Sequence, residues 1–139
     1  MLGDTGTELL HDARCSLLLA YPGDGTWRPR RIVVGVDGSS YARDALTVAD
    51  DLAARLDGSV EVVCATGGQS EIDRDADWAA RVQSWDEADP VRALVERSRS
   101  ADLVVVGSRG LHGIRAIGSV SERVAHQAHC SALVVQLSP

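Results

Sequence analysis

The run from Ala101 to Arg123 constrains this chain more than any other. Residues Leu103-Val104-Val105-Val106-Gly107 form an apolar, β-branched strand that passes through Ser108-Arg109-Gly110 into a loop spaced by Gly110, Gly113 and Gly118. The stretch Ser119-Val120-Ser121-Glu122-Arg123 then opens a helix with two hydroxyls in its first turn, and Ser119-x-x-Glu122 fits a capping box. Strand, glycine loop and helix N-terminus together can hold a phosphate. The glycines let backbone N–H groups approach an anion, and the helix start offers unpaired donors and the positive end of its dipole. The same pattern also occurs as a plain strand-to-helix connection, so the rest of the chain has to decide.

The rest repeats the alternation. Arg31-Ile32-Val33-Val34-Gly35-Val36 predicts a buried strand ending in Asp37-Gly38-Ser39-Ser40, where Ser39 or Ser40 caps a helix. Ala42, Ala45, Leu46, Ala49, Leu52, Ala53 and Leu56 recur at helical spacing until Asp57-Gly58 stops them, and Val60–Ala65 predicts the next strand. A short helix at Trp78–Arg81 and a weak strand at Val82–Trp85 follow. Asp89-Pro90 then opens a helix to about Arg99, and Ala132–Gln136 is the last strand. Alternating apolar strands and helices predict an α/β fold with an open, mostly parallel sheet. Ligands in such sheets sit beyond the carboxyl ends of the strands, where strand order reverses. If the first and fourth strands are neighbours, Asp37 faces the glycine loop, as a carboxylate on ribose hydroxyls faces N–H groups on phosphates.

Composition narrows the functions. The net charge of −6 leaves no basic surplus for general nucleic-acid binding. No run of apolar residues is long enough for a membrane helix, and no secretory signal is expected at the N-terminus. Cys15, Cys64 and Cys130 are odd in number and widely spaced, which predicts reduced thiols in a cytoplasmic setting. All 14 basic residues are arginine, so a Walker A lysine and Schiff-base chemistry are both excluded.

With Val34-Gly35-Val36-Asp37-Gly38-Ser39-Ser40 at one end and Asp102-Leu103-Val104-Val105-Val106-Gly107-Ser108-Arg109-Gly110 leading to Gly118-Ser119-Val120-Ser121-Glu122-Arg123 at the other, the sequence resembles the universal stress protein family. The likeness covers roughly Arg30 to Leu137. It implies an adenine nucleotide alpha hydrolase-like fold: a five-stranded parallel sheet of order 3-2-1-4-5 with helices on both faces. Dimers that pair fifth strands are also implied. Members that bind ATP carry Gly-x2-Gly-x9-Gly-Ser/Thr after the fourth strand. By resemblance, Asp37 would contact ribose or adenine and Ala65 would line the adenine slot. Gly107, Gly110, Gly118 and Ser119 would cradle phosphates, with Val120 and Ser121 completing the turn. The expected cofactor is ATP, with Mg²⁺. Between Gly110 and Gly118, however, stand seven residues where that pattern has nine. Two residues of extended chain are about 7 Å of reach, comparable to a phosphate site. The connection between the second and third strands is also short, leaving at most two turns of helix.

The two ends of the chain repeat each other. Gly3, His11, Ala13 and Cys15-Ser16 recur at a fixed offset as Gly118, His126, Ala128 and Cys130-Ser131, and each set runs into an apolar strand. Residues 1–21 are therefore expected to be the last helix and strand of a preceding domain of the same type. Residues 22–29 would be a linker and 30–139 the main domain. The strand Ser16–Ala20 is expected to pair with Ala132–Gln136, within one chain or swapped between two, and to support a homodimer.

Two functions follow: a nucleotide-binding regulatory module, or a nucleotide-free dimerisation and interaction module of the same fold. Catalysis has little support. The HIGH and SGGxDS signatures of adenylate-forming relatives are absent, and His112 stands in its loop without an anchored base or nucleophile. At most, slow ATP hydrolysis is expected. His126 and His129 lie three apart without a third ligand, so no metal site is expected. Trp78 and Trp85 are expected to cover the sheet where the second helix is shortened.

Overall fold

The computed structural model describes residues 15–23, 27–68, 72–108 and 120–136, together with Glu8. Its elements are β1 Leu17–Leu19, β2 Arg31–Gly35, α1 Ser40–Leu56, β3 Ser59–Ala65, a 3₁₀ turn Asp77–Arg81, β4 Ser84–Asp86, α2 Pro90–Ser98, β5 Leu103–Gly107, α3 Val120–Gln127 and β6 Ser131–Val135. They form one sheet of order β1-β6-β5-β2-β3-β4. Strands β2 to β6 are mutually parallel, and they stand in the order the sequence implied for a five-stranded domain. The sixth strand, β1, joins antiparallel to β6 and lies in the same chain.

Period-two alternation sorts the strand side chains into two cores. Ile32, Val34, Val36, Val62, Cys64, Leu103, Val105 and Val135 meet the Ala42, Ala45, Leu46, Ala49 and Ala53 stripe of α1. On the other face Val33, Val63, Val104, Val106 and Val134 meet Val91 and Leu94 of α2 and Val124 of α3. Helix α1 starts at Ser39, whose side chain accepts from the Ala42 N–H. It ends at Asp57, which takes the left-handed conformation at φ 54° and returns its N–H to the Ala53 carbonyl. Gly58 serves a different purpose, since a Cβ there would stand 2.8 Å from the Arg30 carbonyl. At α2, Asp89 accepts from the Arg92 N–H ahead of Pro90.

The strand expected at Val82–Trp85 is displaced to Ser84–Asp86, because the Val82 N–H closes the 3₁₀ turn on the Ala79 carbonyl. That turn stands where a second helix was expected to be reduced, and Arg81 ties it to α1 with a forked pair of 2.8 Å bonds to Asp50. The helix expected ahead of β1 and the capping box at Ser119 lie outside the described residues. Before β2, Asp102 anchors the incoming chain. Its Oδ2 accepts from the Arg30 and Arg31 N–H groups at 3.0 and 2.9 Å, and its carbonyl accepts from the Trp27 indole at 3.1 Å. Among the described residues no helix is long and apolar enough to cross a membrane.

Candidate functional site

Strands β2 and β5 are parallel neighbours with Val34 opposite Val105, and the helices that follow them lie on opposite faces of the sheet. After β2 the chain enters α1 on one face; after β5 it reaches α3 on the other. This is the switch point of the sheet, the place where such folds leave a crevice. Continuing the register sets Asp37 level with Ser108.

Asp37 is half-buried, and its Oδ1 accepts from the Ser39 N–H at 2.9 Å. Ser39 in turn caps α1, with its Oγ accepting from the Ala42 N–H at 3.2 Å. The carboxylate is thus held by the turn while Ser39 serves the helix. Among the described residues Oδ2 of Asp37 takes no protein donor. Gly38, at φ 88°, lies under the indole of Trp78, three atoms of which are 3.0–3.2 Å from where a Cβ would stand. Burial pushes the Cys64 thiol up from its ordinary pKa, and the charge of Asp37 pushes it further while Arg74 opposes it. Trp78 and Trp85 meet at 6.0 Å, and the Arg74 guanidinium lies 4.3 Å above the Trp85 ring.

Ala65 closes β3 beside Asp86. Next to it Thr66 is buried, its N–H donating to the Asp86 carbonyl at 2.8 Å, and Gly67 and Gly68 follow with φ of 60° and 82°. Gly107 ends β5, and a Cβ there would stand 2.8 Å from the Tyr41 carbonyl oxygen in the first turn of α1. Its lack of a side chain therefore answers to packing, a reason the phosphate reading did not include. Ser121, the second residue of α3, is buried and donates from Oγ to the Ser108 carbonyl at 3.1 Å. Val120 packs beside it on the second core. The Oγ of Ser108 is itself buried and has no hydrogen-bond partner among the described residues.

The structure therefore gathers Asp37, Gly107, Val120 and Ser121 around the end of β2 and β5, with Ala65 one strand away. Gly110, Gly118 and Ser119 fall within 109–119, outside the described residues. Ser108, which reads from the sequence as a ligand or cap hydroxyl, stands outside the set that the resemblance implied. The available signal was a serine directly after the strand-ending Gly107, which only the orphaned hydroxyl makes specific.

The fold defines an open, mostly parallel α/β sheet with helices on both faces, and sequence comparison makes it specific. The family model described as the universal stress protein family matches residues 29–87 and 79–136. Universal stress protein Rv2623 of Mycobacterium tuberculosis is 33% identical over 171 residues, covering 99% of this chain and 57% of that protein. A universal stress protein of Mycolicibacterium smegmatis is 31% identical over 165 residues, covering 98% of this chain and 56% of its own length. The chain spans a little over half the length of these curated relatives. A crystal structure of a universal stress protein from Archaeoglobus fulgidus superposes with a TM-score of 0.77 at 21% identity, over 98% of this chain and 56% of that one. A universal stress protein solved in complex with cAMP superposes with a TM-score of 0.64 at 31% identity, over 80% of this chain and 99% of that one. The chain belongs to the universal stress protein family.

Proposed function

We propose that this chain is a regulatory module of the stress response that binds an adenine nucleotide, ATP with Mg²⁺ first, in the crevice between β2 and β5 and passes its occupancy to a homodimer in the cytoplasm. The observation that carries the reading is the pairing of a half-buried carboxylate on Asp37 with a buried, unpartnered hydroxyl on Ser108 across the switch point. Those two groups fit a ribose: its hydroxyls donate to the Asp37 carboxylate and accept from a serine. Ala65 would line the base. Gly107, Gly110, Gly118, Ser119, Val120 and Ser121 would hold phosphates, whose charge suits the N-terminus of α3. A relative of 31% identity solved with cAMP supports an adenine nucleotide as the ligand class.

Residues 1–21 are the closing segment of a preceding domain of the same type, 22–29 the linker and 30–139 the main domain in this reading. It is supported by relatives that align along 99% of the chain yet extend well past it. Dimerisation would use the sheet edge where β6 and the Ser16–Ala20 segment lie side by side.

A second reading, a nucleotide-free interaction module, is favoured by the packing role of Gly107 and by the seven-residue spacing after Gly110. Isothermal titration with Mg·ATP, and separately with cAMP, distinguishes the two. Heat of binding is expected for the parent chain, with at least a roughly ten-fold weaker affinity for Asp37→Asn, the loss of one charged hydrogen bond of about 1.5–3 kcal/mol. Absence of heat and of any thermal shift at high nucleotide concentration leaves the interaction module as the function.

A further inference from the structure

Trp78 packs on the first core, over the stretch where the second helix is shortened. Its indole also bears on the turn that carries Asp37. Gly38 stands between Asp37 and Ser39 at φ 88°, in a region that L side chains rarely adopt. Glycine enters that region freely and leaves it as freely, so the residue does not hold itself there. What bears on it is Trp78, whose Cζ2, Cε2 and Nε1 lie 3.0–3.2 Å from the place a Cβ would take. The indole is itself held from two sides. Arg81 ties the 3₁₀ turn to α1 through 2.8 Å bonds to both carboxylate oxygens of Asp50. On the other side the Trp85 ring meets it at 6.0 Å, beneath the Arg74 guanidinium. Trp85 stands opposite Cys64 in the sheet, and the charges of Asp37 and Arg74 both act on the Cys64 thiol. Carboxylate and aromatic pair therefore share one corner of the molecule.

The clamp matters because the hold on the carboxylate is slight. Oδ1 of Asp37 accepts from the Ser39 N–H at 2.9 Å across Gly38, a geometry that depends on the Gly38 conformation. We infer that Trp78 is a positioning residue: by pressing on Gly38 it keeps the Asp37 carboxylate in one orientation at the switch point. It acts through Asp37, not on the ligand. What Asp37 is positioned for rests on the nucleotide reading above; how it is positioned does not.

The test uses the full chain with Trp78→Leu, which keeps an apolar group over the core and withdraws the atoms that reach Gly38. Arg81→Gln unties the same turn at an exposed pair, and carries the test should Trp78→Leu fail to fold. Amide hydrogen exchange in the free chain is followed by NMR at Ser39 and at Val105 in the middle of the sheet. Ser39 exchange is expected to quicken by about five-fold or more. A merely structural contribution would instead quicken Val105, which exchanges through global unfolding, and leave Ser39 as it was. Calorimetry with Mg·ATP is expected to show an affinity about three-fold or more below the parent's. Combined with Asp37→Asn, the variant is expected to bind no more weakly than Asp37→Asn alone, because both changes act through one group. Unchanged exchange at Ser39, or losses of affinity that add, overturns the inference. A parent chain that binds no nucleotide overturns the nucleotide reading instead, and Ser39 exchange then decides the positioning by itself.

Discussion

Two glycines with similar crowding make different predictions because of what crowds them. At Gly107 the nearest atoms to an added Cβ are the Tyr41 carbonyl oxygen and carbon at 2.8 and 2.9 Å, and backbone inside a capped helix turn cannot step aside. At Gly35 the nearest atom is Leu94 Cδ1 at 2.7 Å, the far end of a side chain with other rotamers. Gly107→Ala is therefore expected to cost about 1–3 kcal/mol as an overpacking change, and Gly35→Ala less, on urea unfolding midpoints at unchanged m. Equal losses at the two positions would show that the first turn of α1 yields as readily as a leucine. The contrast also marks a limit of sequence. Gly107 was legible as the end of a strand and as half of a phosphate motif. Its contact with Tyr41 was not, since nothing in the spacing says that α1 leans over β5. Asp37 was legible as a carboxylate between a buried strand and a two-serine cap, but its bond from the Ser39 N–H was not. Of the two candidate serines, Ser39 takes the cap.

At the scale of elements, β2-α1-β3 could be read because its periods are long and unbroken, whereas β4 could be read only as a weak strand with its bounds displaced. Three residues carry no period, and the strand is held by side chains distant in sequence. Asp86 is the centre of that hold. The Ala88 N–H on its carboxylate, and then the Arg97 guanidinium at 3.0 Å, lower its pKa below the ordinary carboxylate range. Arg97 also reaches Glu61 at 3.5 Å, so β3, β4 and α2 share one cation. A lowered folded pKa means that the stabilisation is present above the unfolded pKa of about 3.9 and is lost as pH falls through the folded value. Asp86→Asn is thus expected to reduce stability at about pH 7, by a difference that shrinks as pH falls through the folded pKa. Parallel urea titrations of parent and variant between neutral and acid pH check this, and a pH-independent difference would show that the variant is destabilised by packing alone.

For the whole molecule, the sheet has two ends of unlike character. The β4 end carries Asp86 and Glu87 beside Arg81, charges that discourage further pairing. The other end is the Leu17–Leu19 run of β1, apolar and short, and its state can be followed through the three thiols. Cys15 is exposed just before β1, Cys64 is buried under α1, and Cys130 is half-buried just before β6. Burial pushes the Cys130 thiol up to about 11, with the charge of Asp102 contributing, and Cys64 is shifted in the same direction. Since the thiolate is the reactive form, a raised pKa slows alkylation near neutral pH, and burial slows it again. Iodoacetamide on the native chain at about pH 7.5 is therefore expected to modify Cys15 alone on the minutes scale, and all three thiols only in denaturant. Leu18→Pro sharpens the reading. If β1 comes away without disturbing the five parallel strands, Cys64 stays protected in that variant; early labelling of Cys64 would show that the edge strand is part of the cooperative core.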